Sequence, residues 1–331
     1  MFEHMVTMDP PAHTRARSLL SRLLTPSRLK ENEDFMWRLA DRQLDEFLGN
    51  GECEFISEYS KPFATLVIAD LLGVPEEDHK QFRTVLGADR PGARVGALDH
   101  QSVGINPLEW LDDKFCSYIE DRRREPRDDV LTALATANYP DGSTPEVIEV
   151  VRSATFLFAA GQETTAKLLS AALQVLGDRP DIQQKLREDR SLIPGFIEES
   201  LRMESPVKSD SRLARKPTTV GGVDIPAGTI VMVLPGAANL DPRRFENPHE
   251  FQLPRKNVRE HMAFARGHSC PGAPLARVEG RVSIERILDR MAEIAISETK
   301  HGPASDRRYT YEPTYILRGL SELHFTFTTA G

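Results

Sequence analysis

Apolar residues in the first half of the chain recur at the spacing of one-sided helices. From Pro10 to about Val175 they repeat every three or four positions, which buries one face of each helix. The densest run, Phe63 to Leu72, predicts a buried helix that ends at Gly73. A second long pattern predicts a helix capped by Thr144 and ending near Gly177. Such a helix of about 30 residues would be roughly 45 Å long and cross the whole molecule.

The pattern changes after the long helix. Two short helices are followed by short strands, with a hairpin turn at Gly221-Gly222, and a last long helix precedes two C-terminal strands. The predicted elements are helices at 180–188 and 194–203, a strand at 231–234, a helix at 271–291, and strands at 293–297 and 323–328. Pro91-Gly92 and the nearby Gly96 predict a loop. The fold class is therefore mainly α with a small, mostly C-terminal β portion.

Composition narrows the classes of protein. The 331 residues are 40% hydrophobic and 28% charged, which excludes fibrous and disordered proteins, and the net charge of −8 argues against a general nucleic-acid binder. The length allows two domains or one large fold. The three cysteines, Cys53, Cys116 and Cys270, lie far apart, which fits a reducing cytoplasm rather than a disulfide framework. The longest apolar run, near residues 154–160, is too short for a membrane span, so we expect a soluble cytoplasmic protein.

Cys270 is the first candidate for chemistry. It precedes Pro271, and proline at a first helical position marks a helix start and places Cys270 at the cap. Unpaired amides and the helix dipole favour an anionic sulfur there, which suits a metal ligand or a nucleophile. The alternative is a small buried hydrophobic residue.

The middle of the long helix is the second candidate. Ala160-Gly161-Gln162-Glu163-Thr164-Thr165 puts a glycine gap and a hydroxyl in an apolar stripe. One interpretation is a close helix crossing at Gly161, with Thr164 bonding back to Ala160. The other is a notch for a small ligand, in which Glu163 and Thr164 handle protons. A third feature, Glu199-x-x-Arg202, is by itself a common helical ion pair.

Taken in order, these features resemble the cytochrome P450 family, in its soluble bacterial form. The motifs that carry the resemblance are Met8-Asp9-Pro10-Pro11-Ala12-His13-Thr14-Arg15-Ala16-Arg17, Ala160 to Thr165, Glu199-x-x-Arg202, Asp241-Pro242-x-x-Phe245-x-x-Pro248-x-x-Phe251-x-x-x-Arg255, and Cys270-Pro271-Gly272-Ala273-Pro274-Leu275-Ala276-Arg277. The resemblance implies a single haem-thiolate domain over residues 1–331. It also implies that Arg255 completes a buried charge network with Glu199 and Arg202.

The resemblance assigns a role to each candidate residue. Cys270 is implied as the thiolate ligand of a haem b iron. Glu163 and Thr164 are implied to deliver protons beside Ala160, with Gly161 leaving room at the iron. The implied partners of the haem propionates are His13, Arg17, Arg212 and His268, and the implied loop positions around the ligand are Phe264, Gly267 and Gly272.

The implied activity is hydroxylation of a hydrophobic small molecule. The acid–alcohol pair implies O2 and two electrons from a ferredoxin or flavodoxin, with no nucleic acid or membrane as partner. We expect Arg266, Arg277 and Arg281 at the electron donor's docking side, or else on an ordinary solvated face. Apolar residues beside the notch outline a nonpolar pocket: Leu157, Phe158, Leu168 and Leu169. The alternatives are a noncatalytic haem-binding or small-ligand-binding remnant, and a zinc site made of His261, His268 and Cys270.

Two features depart from the family pattern. Family members space the loop as Phe-x-x-Gly-x-x-x-Cys, whereas Phe264-x-x-Gly267-x-x-Cys270 is one residue shorter. We therefore expect a local rearrangement, since one residue spans about 3.3–3.6 Å. Family members also carry a sizeable N-terminal segment before the stretch at Met8, so a fold that lacks this segment is expected.

Overall fold

Helices make up most of the computed structural model, which describes residues 4–87 and 107–330. The helices in these ranges are α1 Ala12–Leu23, α2 Pro26–Asp45, α3 Lys61–Leu71, α4 Glu76–Gly87, α5 Pro107–Arg124, α6 Val130–Ala135, α7 Val147–Asp178, α8 Pro180–Glu188, α9 Ile193–Met203, α10 Pro235–Ala238, α11 Ala273–Arg290 and α12 Glu298–His301. The loop predicted at Pro91-Gly92 and Gly96 lies outside the described residues. The mainly α class is confirmed.

Short antiparallel strands form the β portion. Among the described residues these are β1 Glu52–Glu54, β2 Asp210–Leu213, β3 Thr218–Val220, β4 Val223–Ile225, β5 Ile230–Val233, β6 Met291–Ile296 and β7 His324–Thr329. They pair in the order β1-β7-β6, with two separate ribbons, β2-β5 and β3-β4. The predicted hairpin turn is confirmed: Gly221 and Gly222 both have positive φ, 57° and 82°, which suits glycine between two paired strands.

The long helix α7 begins later than predicted. A capping box starts it, in which Glu146 accepts from the backbone at Glu149 and the Glu149 side chain accepts from the Glu146 amide. Thr144 does not cap the helix, because its hydroxyl donates to Asn138 Oδ1 at 3.1 Å. The helix runs for 32 residues and packs against α3, α5, α9 and α11. It therefore forms the centre of the molecule, as predicted.

The core is continuous around α7. One large cluster of buried apolar residues extends from Met5 to Phe327, and nine of the eleven residues of α3 are buried. Gly73 follows α3 with φ 77°, and this confirms the predicted end of that helix. No described helix combines the length and apolar character that crossing a membrane requires.

A buried charge network joins α9 to the irregular segment after α10. The two carboxylate oxygens of Glu199 accept from Arg202 at 2.8 Å and from Arg255 at 2.9 Å. Both guanidinium groups also donate to backbone carbonyls of the segment, including those of Pro248 and Glu250. The network implied for these three side chains is confirmed, and it fixes an extended stretch that has no regular structure of its own.

Candidate active site

Cys270 lies in the loop that leads into α11. The N-cap of α11 is Gly272, so the cysteine stands two residues before the cap, and the predicted cap position was wrong. Its sulfur nevertheless reaches the first amides of the helix, since the backbone of Gly272 and of Ala273 hydrogen-bonds to it. Burial raises the pKa of the thiol, and these amides together with the charges of Arg17 and Arg277 oppose that rise. The protein therefore supplies only part of the stabilisation of a thiolate, and a cation at the sulfur would supply the rest.

The loop before Cys270 is tightly closed. The amide of Cys270 donates to the carbonyl of Phe264 at 2.9 Å. Gly267 and Ala265 both adopt positive φ, 82° and 56°, inside this closure. Glycine takes that conformation freely, whereas an alanine loses about 1–2 kcal/mol by it. Ala265 therefore carries backbone strain within the loop, and the rearrangement expected from the shorter spacing stays a prediction.

Three of the predicted propionate partners meet beside Cys270. Arg17 donates to the carbonyl of Ser269 at 2.6 Å, and the rings of His13 and His268 lie 4.1 Å apart, edge to face. Burial lowers the pKa of His13, and the nearby His268 and Arg17 lower it further. Its Nδ1 atom is buried and has no hydrogen-bond partner among the described residues. Buried polar atoms are nearly always paired, so this nitrogen lacks a partner that a bound carboxylate would supply.

Arg212 lies apart from that cluster. Its side chain is largely exposed on β2, where it pairs with Asp210 and donates to the carbonyl of Ser211 at 3.0 Å. The end of β2 approaches the start of α1, because Arg215 pairs with Asp9 at 2.5 Å. The structure therefore puts Arg212 at the same end of the molecule but gives it no contact with His13 within the described residues.

The centre of α7 shows features of both interpretations of its motif. Thr164 donates to the carbonyl of Ala160 at 2.7 Å, and a Cβ on Gly161 would lie 2.7 Å from Ile68 Cδ1. The close helix crossing is therefore real, and Gly161 makes room for α3. Ala160 is exposed although it lies in the middle of the central helix. An exposed residue there marks an open space beside the motif, as the notch interpretation requires.

Glu163 is part of an ion triad that the sequence analysis did not predict. Its carboxylate lies 3.1 Å from Lys167 Nζ, and the same ammonium lies 2.7 Å from Glu312. Lys167 and Glu312 are both buried. The available signal was a lysine four residues after Glu163 within an apolar stripe, but its more distant partner is not readable from spacing.

A buried acid behind the motif was also missed. Glu279 on α11 is fully buried and accepts from Thr165 of α7 at 3.0 Å. Burial raises the pKa of Glu279 to about 8, against a smaller opposing effect of that hydrogen bond. Its second oxygen has no partner in the described part of the chain. This contact holds α7 against the helix that follows Cys270.

The predicted nonpolar pocket residues differ in the face of α7 that they occupy. Leu157, Phe158, Leu168 and Leu169 are all buried, and the ring of Phe158 packs 5.4 Å from that of Phe82 on α4. At about 100° per residue, Phe158 and Leu169 lie on the side of α7 opposite Ala160, whereas Leu157 and Leu168 lie within about 60° and 80° of it. The pocket assignment of Phe158 and Leu169 was therefore wrong, and that of Leu157 and Leu168 stays a prediction.

The zinc alternative fails at His261. Both ring nitrogens are engaged: Nε2 with Glu198 at 2.8 Å and Nδ1 with the amide of Ala263 at 3.2 Å. Neither has a free lone pair for a metal shared with His268 and Cys270. Over residues 4–87 and 107–330, no group of three or more His, Cys, Asp or Glu side chains is arranged to hold a metal ion.

Comparison with known proteins agrees with this geometry. The sequence model of the cytochrome P450 family matches residues 109–306. Cytochrome P450 107B1 of Saccharopolyspora erythraea is 35% identical over 322 residues, which are 97% of this chain and 76% of that protein. The biotin biosynthesis cytochrome P450 of Bacillus subtilis is 32% identical over 329 residues, which are 98% and 80% of the two chains.

Solved structures superpose on the whole described fold. The substrate-free cytochrome P450 CYP150A6 of Mycobacterium marinum is 80% identical, with a TM-score of 0.92 over 99% of this chain and 77% of that one. CYP109E1 of Bacillus megaterium, solved in complex with corticosterone, is 29% identical, with a TM-score of 0.86 over 98% of this chain and 85% of that one.

Proposed function

The chain belongs to the cytochrome P450 family, and on that premise we propose that it hydroxylates a hydrophobic small molecule with O2 and electrons from a redox partner. It is a monooxygenase with haem iron as its cofactor. In such a reaction one oxygen atom enters a C–H bond and the other leaves as water, which consumes two electrons and two protons. The observation that carries the proposal is the Cys270 sulfur at the amides before α11, with cationic side chains beside it.

The residues around Cys270 fit haem. Cys270 would hold the iron, and Phe264, Gly267 and Gly272 would form the loop around the sulfur. When bound, haem with a thiolate ligand supplies the activation of dioxygen. The unpartnered Nδ1 of His13, next to Arg17, provides a donor for a carboxylate.

Arg17, His13 and His268 are the propionate partners that the geometry supports best. Arg212 joins them only if its side chain leaves Asp210, with which it pairs on the exposed face of β2. We therefore rank Arg212 below the other three cations.

Glu163 and Thr164 are the proposed proton-handling groups. The Thr164 hydroxyl donates to Ala160 at 2.7 Å, next to the open space, and rotation about its Cα–Cβ bond redirects it. Glu163 is partly exposed, and its carboxylate lies 3.1 Å from Lys167 Nζ, so the side chain is in contact with solvent while its position is held. A carboxyl and a hydroxyl at neighbouring positions form a short relay from water to the cofactor side of α7.

A hydrophobic substrate is supported by the relatives and by the space beside α7. CYP109E1 was solved with corticosterone and with testosterone, at 29% and 28% identity to this chain. The exposed residue that marks the open space, Ala160, carries only a methyl group. We propose a compact, largely nonpolar substrate of similar chemical character.

The proposed electron donor is a ferredoxin or flavodoxin in the cytoplasm. Of the three arginines considered, Arg277 is paired with Glu198 and Arg281 with Glu33, so their charges are partly neutralised. Arg266 is exposed and, in the described part of the chain, donates to the carbonyl of Glu260 at 3.3 Å. It is the best candidate for contact with an acidic donor. A single haem-thiolate domain over 1–331 is consistent with the continuous core.

Turnover with isotopically labelled O2 tests the proposal. The purified protein is supplied with haem, a surrogate ferredoxin system and a panel of steroids, and products are analysed by mass spectrometry. We expect one labelled oxygen atom in each hydroxylated product and none with Cys270→Ser. Binding of panel members without any turnover, with every donor tried, would instead support a noncatalytic binding protein.

A further inference from the structure

Glu198 holds two partners from opposite sides of Cys270. The residue lies on α9 with its side chain 4% exposed, and its Oε2 contacts His261 Nε2 at 2.8 Å. Its Oε1 accepts from the Arg277 guanidinium. Burial alone would raise the pKa of Glu198, but the hydrogen bonds from His261 and Arg277 outweigh burial and hold it at about 2. The carboxylate is therefore ionised at neutral pH.

The hydrogen bonds fix the tautomer of His261. Its Nδ1 accepts from the amide of Ala263 at 3.2 Å, so the ring proton resides on Nε2 and is donated to Glu198. The imidazole cannot rotate without losing both bonds. His261 is thus locked between α9 and the start of the loop.

Phe264 connects this contact to Cys270. The Arg277 guanidinium lies 4.7 Å from the centre of the Phe264 ring, and the His261 ring lies 5.9 Å from it. The carbonyl of the same phenylalanine accepts from the Cys270 amide at 2.9 Å. Both ends of the cysteine segment, His261 and Arg277, therefore converge on one carboxylate and enclose the ring whose backbone holds Cys270.

The neighbouring carboxylate, that of Glu199, binds a different segment of the chain. Glu199 holds Arg202 and Arg255, which fix the preceding irregular segment through its carbonyls. Consecutive positions on a helix point about 100° apart, so the two successive glutamates of α9 bind two successive segments of the chain. The segment that contains Cys270 depends on Glu198.

We propose that Glu198 is a positioning residue that sets the place of the Cys270 sulfur by clamping His261 and Arg277. This inference rests on the proposed role of Cys270 as haem ligand. A clamp is needed because the loop is short and strained at Ala265, where φ is 56°. Strain of this kind persists only where the surrounding structure holds it in place.

Glu198→Gln tests the clamp in the haem-loaded protein. Glutamine keeps the size of the side chain but loses the charge that binds both partners. Substitution of groups that orient a metal ligand typically lowers metal affinity about 10- to 100-fold, so we expect haem to transfer to apomyoglobin about 10 to 100 times faster. We also expect the carbon monoxide complex of the reduced protein to lose part of its red-shifted thiolate band.

Glu204→Gln is the matched control. Glu204 follows the end of α9 and binds Arg318 at 2.6 Å, in a half-buried pair outside the cysteine segment. The Glu204→Gln variant should leave both the rate of haem transfer and the thiolate band unchanged. If Glu198→Gln fails to fold, Arg277→Lys replaces it, because lysine keeps the charge but loses the planar fork and the stacking on Phe264. We expect a faster haem transfer there too.

The outcomes separate the two proposals. A wild-type protein without the thiolate band would overturn the haem-ligand role of Cys270 and, with it, the clamp. A normal wild-type band with Glu198→Gln indistinguishable from Glu204→Gln would overturn the clamp alone. If Glu198→Gln does not fold, an unchanged rate of haem transfer in Arg277→Lys would overturn the clamp proposal.

Discussion

Replacing Lys167 with methionine should destabilise the protein by about 3–5 kcal/mol. The lysine side chain is 7% exposed and lies 2.7 Å from Glu312 and 3.1 Å from Glu163. At 2.7 Å, opposite unit charges attract by about 6 kcal/mol at an effective dielectric constant of about 20, and desolvation offsets part of this. Methionine is similar in length and still packs against Gly319, so little cavity forms. The Glu312 carboxylate, 4% exposed, loses the ammonium contact at 2.7 Å, and breaking a buried ion pair in this way typically costs about 3–5 kcal/mol.

Urea unfolding measures this loss as a change in midpoint and slope. Glu163→Gln is the matched control, because the Glu163 carboxylate is 26% exposed and its loss should cost about 1 kcal/mol or less. The double variant Lys167→Met with Glu312→Gln should be more stable than the sum of the single effects, since no buried charge is left. A Lys167→Met protein within about 1 kcal/mol of wild type would show that the buried ion pair contributes little to stability.

Four further predictions concern the site. Thr164→Ala should keep haem binding but divert electrons from product to hydrogen peroxide, with product formation reduced by about 10²- to 10⁴-fold; unchanged product per electron would argue against proton delivery. The pKa of Glu279 is raised to about 8, so the folded state binds a proton that the unfolded state has released. Stability should therefore fall between about pH 4.5 and 8, by up to about 1.4 kcal/mol per pH unit, and Glu279→Gln should flatten urea-derived stability over that range. If the unfolding free energy of the wild type and of Glu279→Gln depends on pH equally, Glu279 does not have the raised pKa. Ala265→Gly should raise the unfolding midpoint by relieving positive φ. An apolar residue inserted between Gly267 and His268 should increase haem retention. The same insertion within α11 is the control and should damage the protein. Lower haem occupancy after the loop insertion would mean that the short loop is tolerated as it stands.

The sequence predicted the elements whose signals are local. The central helix α7, the buried helix α3 and the hairpin at Gly221-Gly222 all follow from periodicity or turn residues. The start of α7 was missed because Thr144, Glu146 and Glu149 offer competing caps, and spacing does not show that Thr144 bonds to Asn138 instead.

The site could be predicted only in part. The resemblance assigns Cys270, His13, Arg17 and His268 to one site; in the structure Arg17 donates to the carbonyl of Ser269, next to Cys270, and the rings of His13 and His268 are in contact. The clamp at Glu198 could not be foreseen, because its partners lie 63 and 79 positions away.

Helix phase was the other limit. The pocket assignment of Phe158 failed because α7 is apolar on several faces, and periodicity does not say which face meets Phe82 and which faces open space. Gly161 similarly lets α7 pass close to Ile68 of α3, a contact that only tertiary packing reveals.

The absorption spectrum of the reduced protein under carbon monoxide shows whether Cys270 binds haem iron through its thiolate. If the sulfur of Cys270 binds haem iron, the wild-type protein gives the strongly red-shifted band of thiolate ligation and Cys270→Ser does not. A purified, haem-supplemented wild type without that band, or a serine variant with the same spectrum, would contradict the account.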